Sequence, residues 1–323
     1  MARKTVRVLI GAALLTVAAV AGAQQGYPNR PIKLIVPWPP GGGVDTAARV
    51  LSQPLAERLG QPIVVDNKPG VAGNLGTAIG AKEPPDGYTL IMGSLSPNSV
   101  NPHLYSKLGF DPIKDFEYVG LAYIVPSFLV VPASSPANSA KDLVAIAKAS
   151  PGKLNLASGG IGSTGHMSAE LFQMMAGIKF THVPYRGEAP ALTDLIAGQA
   201  QVMVSTTGSS LQYAKAGTVR AVATTTDDRV TGLPDLQPLS QTVPGYQANG
   251  WNGLCAPKGT PAAIITLLNR EVNLAMADPK IKERMASLGG VALPGSPEDY
   301  GRTIAADTEK WGKVVQFSGA QVN

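Results

Sequence analysis

The chain has 323 residues and a formal net charge of +5, and 44% of its residues are hydrophobic against 15% that are charged. This composition predicts a well-packed globular protein, and the length is typical of about two domains. No run of basic residues with interleaved aromatic residues appears, which argues against a nucleic-acid-binding protein.

Residues 1–23 have the pattern of a cleaved secretory signal peptide. Basic residues precede an apolar run that ends near Ala21, and this run is shorter than the roughly 20 helical residues that span a bilayer. An Ala-x-Ala site ends at Ala23, so we expect a mature chain that begins at Gln24 and keeps a formal charge of +2. The single cysteine, Cys255, lies far from that site, so neither a lipid-anchored N-terminal cysteine nor an internal disulfide is available. These features predict a periplasmic protein that is soluble and not lipidated.

The first predicted strand, residues 32–36, leads through a glycine turn into a helix, an arrangement typical of anion sites. The turn contains Gly41, Gly42 and Gly43, and the helical pattern begins near Asp45. Glycines let a ligand approach the backbone, and free N–H groups with the positive end of the helix dipole favour a carboxylate or a phosphate. The alternative is an ordinary turn between a strand and a helix.

Two side chains beside this turn each have two interpretations. Asp45 either contacts a ligand or pairs with Arg49, four residues further along the predicted helix. Trp38 forms either a wall of a ligand cleft or a part of the core.

Strand-like and helix-like segments alternate along the chain, in the βαβ rhythm of a parallel sheet. A loop is predicted through Asn98 and Asn101. The other segments up to residue 225 are predicted at 45–59, 63–66, 75–81, 89–93, 128–131, 140–150, 153–158, 164–176, 180–185, 189–197, 201–205, 209–216 and 219–225. Helical patterns at 261–277, 279–288 and 297–318 close the chain, and each opens on a proline, which suits a first helical position.

Two extended segments predict a hinge between two lobes. They cover residues 121–131 and 246–256, and the chain would leave one lobe through the first and return through the second. Lobe 1 then comprises residues 24–124 and 250–323, lobe 2 comprises residues 125–249, and the ligand cleft lies between them.

A second glycine turn resembles a dinucleotide-binding fingerprint. Gly160, Gly162 and Gly165 satisfy the spacing G-x-G-x-x-G, but where an acid would hold the ribose hydroxyls the chain has Tyr185 and Arg186. An exported protein would also lack a cytosolic pool of nicotinamide dinucleotides. Two anion-facing turns in one chain instead favour a clamp around a small acid, and we expect no cofactor.

The residues that follow this turn also allow a hydrolase or a helix cap. Ser163 or Thr164 caps the helix, with or without a ligand contact. Ser163 and His166 suggest a nucleophile and a base, but a Ser and a His at one helix start rarely face each other and the chain has no G-x-S-x-G elbow. The three histidines, which include His103 and His182, are too scattered for a zinc site, so His166 is expected to pack or hydrogen-bond near the turn.

Short motifs in a fixed order support a family resemblance. They are Tyr27-Pro28-Asn29-Arg30-Pro31-Ile32-Lys33, Val65-Asp66-Asn67-Lys68-Pro69-Gly70, Gly73-Asn74, Asp86-Gly87-Tyr88-Thr89-Leu90, Asn101-Pro102, Lys114-Asp115-Phe116, Val183-Pro184-Tyr185-Arg186-Gly187, Ala189-Pro190-Ala191-Leu192-Thr193-Asp194, Gly253-Leu254, Ala256-Pro257 and Gly259-Thr260-Pro261, together with the two glycine turns. With them, nearly the whole mature chain resembles the extracytoplasmic solute receptors of tripartite tricarboxylate transporters, the Bug family.

The resemblance implies an α/β fold of the type II-like periplasmic binding proteins. Such a protein has two lobes, two parallel-rich sheets flanked by helices and a two-crossing hinge. It is a binding protein and not an enzyme. The expected partners are a small carboxylate and either the permease subunits of a tripartite tricarboxylate transporter or a membrane sensor kinase, and the expected oligomeric state is a monomer.

The resemblance also assigns the binding residues. The backbone of Gly41, Gly42, Gly43, Gly160, Gly162 and Ser163 and the Thr164 hydroxyl would hold one carboxylate, with Asp45 and His166 as further candidates. Asn98, Arg186, Ser205 and Thr206 are candidates for the distal end of the ligand, with Arg186 either pairing with a second carboxylate or facing solvent or Glu188. Relatives often have a small residue where this chain has Glu188 and an acid near residues 205–207, so a di- or tricarboxylate or an aromatic acid is expected in preference to an amino acid.

Overall fold

The computed structural model describes residues 26–227, 230 and 232–322. The predicted signal peptide and the predicted first mature residue, Gln24, lie outside the described residues. Among the helices that the structure describes, none combines the length and apolar character needed to cross a membrane.

The strands agree closely with the apolar runs of the sequence, since most of their side chains are buried. In the described chain they are β1 (Ile32–Val36), β2 (Ile63–Asn67), β3 (Thr89–Ser94), β4 (Phe116–Val125), β5 (Ser127–Pro132), β6 (Asn155–Ser158), β7 (Thr181–Pro184), β8 (Val202–Thr206), β9 (Val219–Thr224), β10 (Gly250–Pro257) and β11 (Val291–Ala292). The short strand β11 has no counterpart in the prediction, because two residues carry no periodicity.

The α-helices lie between these strands and at the C-terminal end. Within the described residues they are α1 (Gly43–Leu59), α2 (Asn74–Gly80), α3 (Asn101–Leu104), α4 (Ala140–Ala149), α5 (Thr164–Ala176), α6 (Glu188–Ile196), α7 (Thr207–Lys215), α8 (Ala262–Ala277), α9 (Pro279–Ser287) and α10 (Pro297–Ser318). Short turns of other helical types cover Val71–Gly73, Ser96–Val100 and Leu239–Gln241.

Two predictions of local structure were wrong. The expected loop through Asn98 and Asn101 is helical, because Pro97 and Pro102 each occupy a first-turn position, where proline favours a helix. Pro261 is the residue that precedes α8 and not its first residue.

The strands form two mixed sheets. The first has the order β11-β4-β10-β3-β1-β2, with β1 parallel to β2 and β3 and with β10 antiparallel to β3 and β4. The second has the order β7-β6-β8-β5-β9, with β6 parallel to β7 and β8 and with β5 antiparallel to β8 and β9. We call these the six-stranded unit and the five-stranded unit, each including its flanking helices. The predicted α/β class, with two sheets flanked by helices, is confirmed.

The chain passes twice between the two units, and the two passages lie side by side. The first passage is at Pro126, between β4 and β5, and the second leads into Gly250 at the start of β10. Gly250 is paired with Val125 in the antiparallel register of β10 and β4. The antiparallel pairs of both sheets therefore involve the strands that enter or leave a passage.

Helix α10 connects the hydrophobic cores of the two units. Its buried residues Tyr300, Ile304 and Trp311 belong to one cluster that also contains Leu95 of the six-stranded unit and Phe172 of α5. Burial of such large side chains contributes about 1.5–3 kcal/mol each. The two units are thus packed together on the side of α10.

Candidate functional site

A cavity of about 630 Å³ lies between the two units. Of the predicted binding residues, six line it, namely Trp38, Gly41, Gly43, Ser163, Thr164 and Thr206. The starts of the three helices α1, α5 and α7 therefore meet at one cavity. A second cavity of about 650 Å³ lies away from these helix starts, between β9 and residues 232–236.

Asp45 stabilises the first glycine turn, residues 41–43, through its side chain. Its buried carboxylate accepts hydrogen bonds from Gly41 N–H at 2.8 Å, from Arg49 Nε at 3.0 Å and from Asn67 Nδ2 at 2.8 Å. The hydrogen bond from Arg49 is among the contacts that hold the Asp45 pKa below its usual value, although burial acts in the opposite direction. The predicted pair of Asp45 with Arg49 is present, and the carboxylate supports the turn from within the protein.

The amide groups that remain available on α1 lie at the beginning of the helix. Gly41 N–H is bonded to Asp45, and Gly42 N–H has only a long contact to Pro39 O at 3.4 Å. The residue before α1 is a glycine, which supplies no side-chain cap. Within the described residues, the N–H groups of Gly43 and Val44 have no acceptor, and both residues line the cavity. Unpaired N–H groups at a helix start form a ready site for an anion.

The second turn uses three of its predicted amide donors internally. Gly160 N–H donates to Ser158 Oγ, Gly162 N–H to His166 Nδ1 and Ser163 N–H to Gly160 O. The amide of Thr164, the first residue of α5, has no acceptor among the described groups. In this structure Thr164, which lines the cavity, therefore supplies a free donor beside the second turn, whereas Gly160, Gly162 and Ser163 do not.

His166, which is buried, and His182, which is half-buried, stack on each other near the second turn. Their ring centroids are 4.0 Å apart, and His182 Nε2 lies 2.7 Å from Ser158 Oγ. Burial lowers the pKa of His166 to about 3 and that of His182 to about 4, so both rings are neutral at pH 7. Ser163 Oγ accepts from the backbone N–H of His166 and does not contact its ring. This geometry provides a helix cap and no nucleophile–base pair.

The start of α7 faces a carboxylate of the protein itself. Glu188 Oε2 accepts from Thr206 Oγ1 at 2.8 Å, from Thr206 N–H at 3.3 Å and from Ser205 Oγ at 3.3 Å. Gly159 leaves room for this side chain, since a Cβ there would lie 3.3 Å from Glu188 Cγ. Glu188, a residue that sequence reasoning did not place in the site, lines the cavity.

Two polar side chains in the cavity lining lack partners. The Tyr123 hydroxyl and Asn252 Oδ1 make no hydrogen bond within the described chain, although Tyr123 is 3% exposed and Asn252 is 4% exposed. The two residues are paired across β4 and β10 and therefore share one face of the sheet. An unpaired buried polar group is costly, so such groups are typical of a site that a ligand completes.

The remaining predicted binding residues lie outside the cavity lining. Asn98 is buried and its Oδ1 accepts from Ser94 N–H at 3.1 Å, so it fixes the end of β3. Ser205 is buried behind Glu188, and Arg186 is exposed. His166 and Asp45 support the two turns. Binding roles for these residues, and for Gly42, Gly160 and Gly162, stay predictions.

Several lining residues carry no signal that a single sequence reveals. They are Ser94, Leu95, Ser96, Tyr123, Val125, Gly208, Ser209, Gly250, Trp251, Asn252, Met285, Ser287, Leu288 and Gly290. Most belong to passage strands or to the end of α9 and the residues after it, which the fold brings to the cavity from distant parts of the chain.

The two units touch on both sides of the cavity. Ser96 Oγ donates to Gly162 O at 3.2 Å, and Thr207 Oγ1 donates to Gly289 O at 2.5 Å. A Cβ on Gly208 would lie 2.7 Å from Leu288 O. The two units are therefore in direct contact through residues that line the cavity or adjoin its lining.

Comparison with known proteins gives a consistent result. A family model described as tripartite tricarboxylate transporter family receptor matches residues 47–320. Protein BugT of Bordetella pertussis is 36% identical to this chain over 92% of the chain and 91% of BugT.

Solved structures show the same similarity. R. palustris Rpa4515 with adipate has a TM-score of 0.81 and 36% sequence identity, and the match covers 92% of this chain and all of that protein. MatC from Rhodopseudomonas palustris with bound malate has a TM-score of 0.77 and 30% identity, with 90% of this chain and all of MatC covered.

Proposed function

Because the chain belongs to the tripartite tricarboxylate transporter family of receptors, we propose that it is a periplasmic solute-binding protein for a small carboxylate. It closes its two lobes around the ligand and delivers it to the permease subunits of a tripartite tricarboxylate-type transporter. Lobe 1 is formed by residues 24–124 and 250–323 and lobe 2 by residues 125–249. The chain performs no catalysis.

One observation carries this proposal, namely that unpaired amides from both lobes meet at one cavity. Gly43 and Val44 of α1 belong to lobe 1, and Thr164 of α5 belongs to lobe 2. A carboxylate has two oxygens, so it can accept from both helix starts at once. Each charge-assisted hydrogen bond to a backbone N–H contributes about 1.5–3 kcal/mol. A few of them support micromolar binding, which corresponds to about 8 kcal/mol.

The same contact explains closure. In the open form the carboxylate would bind only one helix start, whereas in the closed form it binds both. A ligand shifts a conformational equilibrium by its difference in affinity for the two forms. The hydrogen bonds from Ser96 to Gly162 and from Thr207 to Gly289 then add to the closed form. The closed lobes form the surface that the membrane partner recognises.

Relatives support one carboxylate as the common ligand feature. The R. palustris structures hold adipate and malate, both of which carry carboxylates. The family resemblance predicts a di- or tricarboxylate or an aromatic acid. All of these ligands carry at least one carboxylate, which would bind between the starts of α1 and α5.

A thermal-shift screen of residues 24–323 tests the proposal, since a ligand that binds the native state raises the melting temperature. The screen contains mono-, di- and tricarboxylates, aromatic acids, amino acids, nicotinamide dinucleotides and inorganic phosphate. Shifts with carboxylates support the proposal. Shifts with dinucleotides or phosphate and with no carboxylate overturn it. Capture of membrane proteins by the liganded receptor then distinguishes a permease from a sensor kinase.

A further inference from the structure

Glu188 gives the cavity a negative charge. Among the described residues that line the cavity, Glu188 is the only one with a charged side chain. Within the described chain its carboxylate makes no ion pair with a lysine, arginine or histidine. A partly buried carboxylate without a cation is unusual, because charges removed from water are normally paired.

The start of α7 stabilises the negative charge of Glu188. The Thr206 amide and the Ser205 and Thr206 hydroxyls all donate to its carboxylate, where the helix dipole also favours an anion. These donors are of the kind that would bind a second carboxylate of a ligand. Glu188 already occupies these three donors, so a second carboxylate of a ligand would have to displace it from them.

Acceptors remain unused in the lining of the cavity. Glu188 Oε1 has a single long contact, from Thr206 N–H at 3.4 Å, although a carboxylate oxygen accepts two hydrogen bonds. Asn252 Oδ1 is a second acceptor that is buried, lines the cavity and has no partner in the described chain. A donor on the ligand would satisfy both acceptors, one of which is charged.

We propose that Glu188 selects a ligand that carries an ammonium group in addition to its carboxylate. The inference rests on the proposed function, because it takes the carboxylate site at α1 and α5 as given. A second carboxylate would meet Glu188 as a like charge, whereas an ammonium supplies both the missing donor and the missing cation. The ligand class is then an amino carboxylate, which reverses the expectation drawn from the sequence.

Matched ligands test this selection. The probes have four, five or six carbons, and each length is used as a monocarboxylate, a dicarboxylate, an α-amino carboxylate and an ω-amino carboxylate. Calorimetric titration of the wild type should show an amino carboxylate binding on the order of tenfold more tightly than the dicarboxylate of the same length, because like charges in close contact are strongly disfavoured.

The variant Glu188→Gln keeps the size of the side chain and removes its charge. It should reduce this preference on the order of tenfold and strengthen dicarboxylate binding. Glu57→Gln is the control, since Glu57 is exposed on α1 and lies outside the cavity lining. Melting temperatures of both variants verify that they fold.

Two results would overturn this inference and leave the proposed function standing. In one, dicarboxylates bind the wild type more tightly than both amino carboxylates of equal length. In the other, Glu188→Gln folds and leaves the ratio of affinities unchanged. If no carboxylate of any kind binds in the calorimeter or the thermal-shift screen, the proposed function itself fails.

Discussion

Replacing Gly43 by proline removes one backbone donor from the proposed carboxylate site and leaves the fold intact. Gly43 is the first residue of α1, where a proline fits and where the lost N–H has no partner in the helix. The preceding residue, Gly42, has φ −73° and ψ 166°, the extended conformation that proline requires before it. A Cβ at position 43 meets no atom within 4 Å.

The expected loss follows from the single hydrogen bond removed. A hydrogen bond from a backbone N–H to a charged group contributes about 1.5–3 kcal/mol, so the Kd should rise about ten- to a hundredfold. Gly43→Ala keeps the N–H and should bind like the wild type. Isothermal titration calorimetry with the carboxylate found by the thermal-shift screen measures each Kd, and thermal unfolding of each variant verifies the fold.

The reasoning is refuted if the proline variant melts at the wild-type temperature and binds with an unchanged Kd. The Gly43 amide would then not contact the ligand, and the start of α1 would not be the anion site. A loss of equal size in Gly43→Ala would instead assign the effect to the added carbon and not to the missing donor.

Three further outcomes follow from the geometry. Asp45→Ala should raise the Kd and lower the free energy of unfolding by about 1–3 kcal/mol in a urea titration, because it leaves the donors of the first turn without their acceptor. Arg186→Ala should leave the Kd unchanged in calorimetry, because Arg186 is exposed and lies outside the cavity lining. Lowering the pH from 6.5 to about 4 should lower the stability, because the folded-state pKa values of His166 and His182 lie below 6.5 and the unfolded chain binds protons first. The slope is about 1.4 kcal/mol per pH unit for each histidine, and burial raises the pKa of the neighbouring Glu170, which offsets part of it.

Each of these outcomes has a clear contrary result. An Asp45→Ala protein with wild-type stability and affinity would mean that the first turn needs no support from its carboxylate. Weaker binding by Arg186→Ala would place that guanidinium in the site after all. The double variant His166→Asn with His182→Asn should flatten the acid limb of the stability curve, and an unchanged limb would assign the pH dependence to other groups.

Local patterns predicted most of the fold, because each element carried its own signal. Helix α5 begins and ends where the pattern predicted, since Ser163 caps its start and Gly177 adopts the left-handed conformation at its end. The extended segments near residues 121–131 and 246–256 correspond to β4, β5 and β10. The mixed direction of the sheets was harder to predict, because strand direction depends on partners distant in sequence.

The candidate site was only partly predictable for a related reason. The glycine turns predicted the starts of α1 and α5. Which backbone amides stay free depends on the side chains of Asp45 and His166, because each of them accepts a hydrogen bond from an amide of its own turn. In the sequence, Glu188 has the position of an ordinary acidic residue in the first turn of α6. Its contact with Thr206 appears only when β8 is placed beside that helix start. The unpaired Tyr123 and Asn252 likewise become neighbours only through strand pairing.

The position of α10 has a consequence for how the chain is made. The six-stranded unit takes β1 to β4 from the first part of the chain and β10, β11 and α10 from the last part. Its central strand β10 and the buried Trp311 are therefore the last pieces to be synthesised, and long-range contacts form slowly. Until they arrive, β3 and β4 lack the strand that lies between them. A nascent chain that lacks residues 250–323 thus stays incompletely folded, which is the state that the proposed export of the chain through a narrow membrane channel requires.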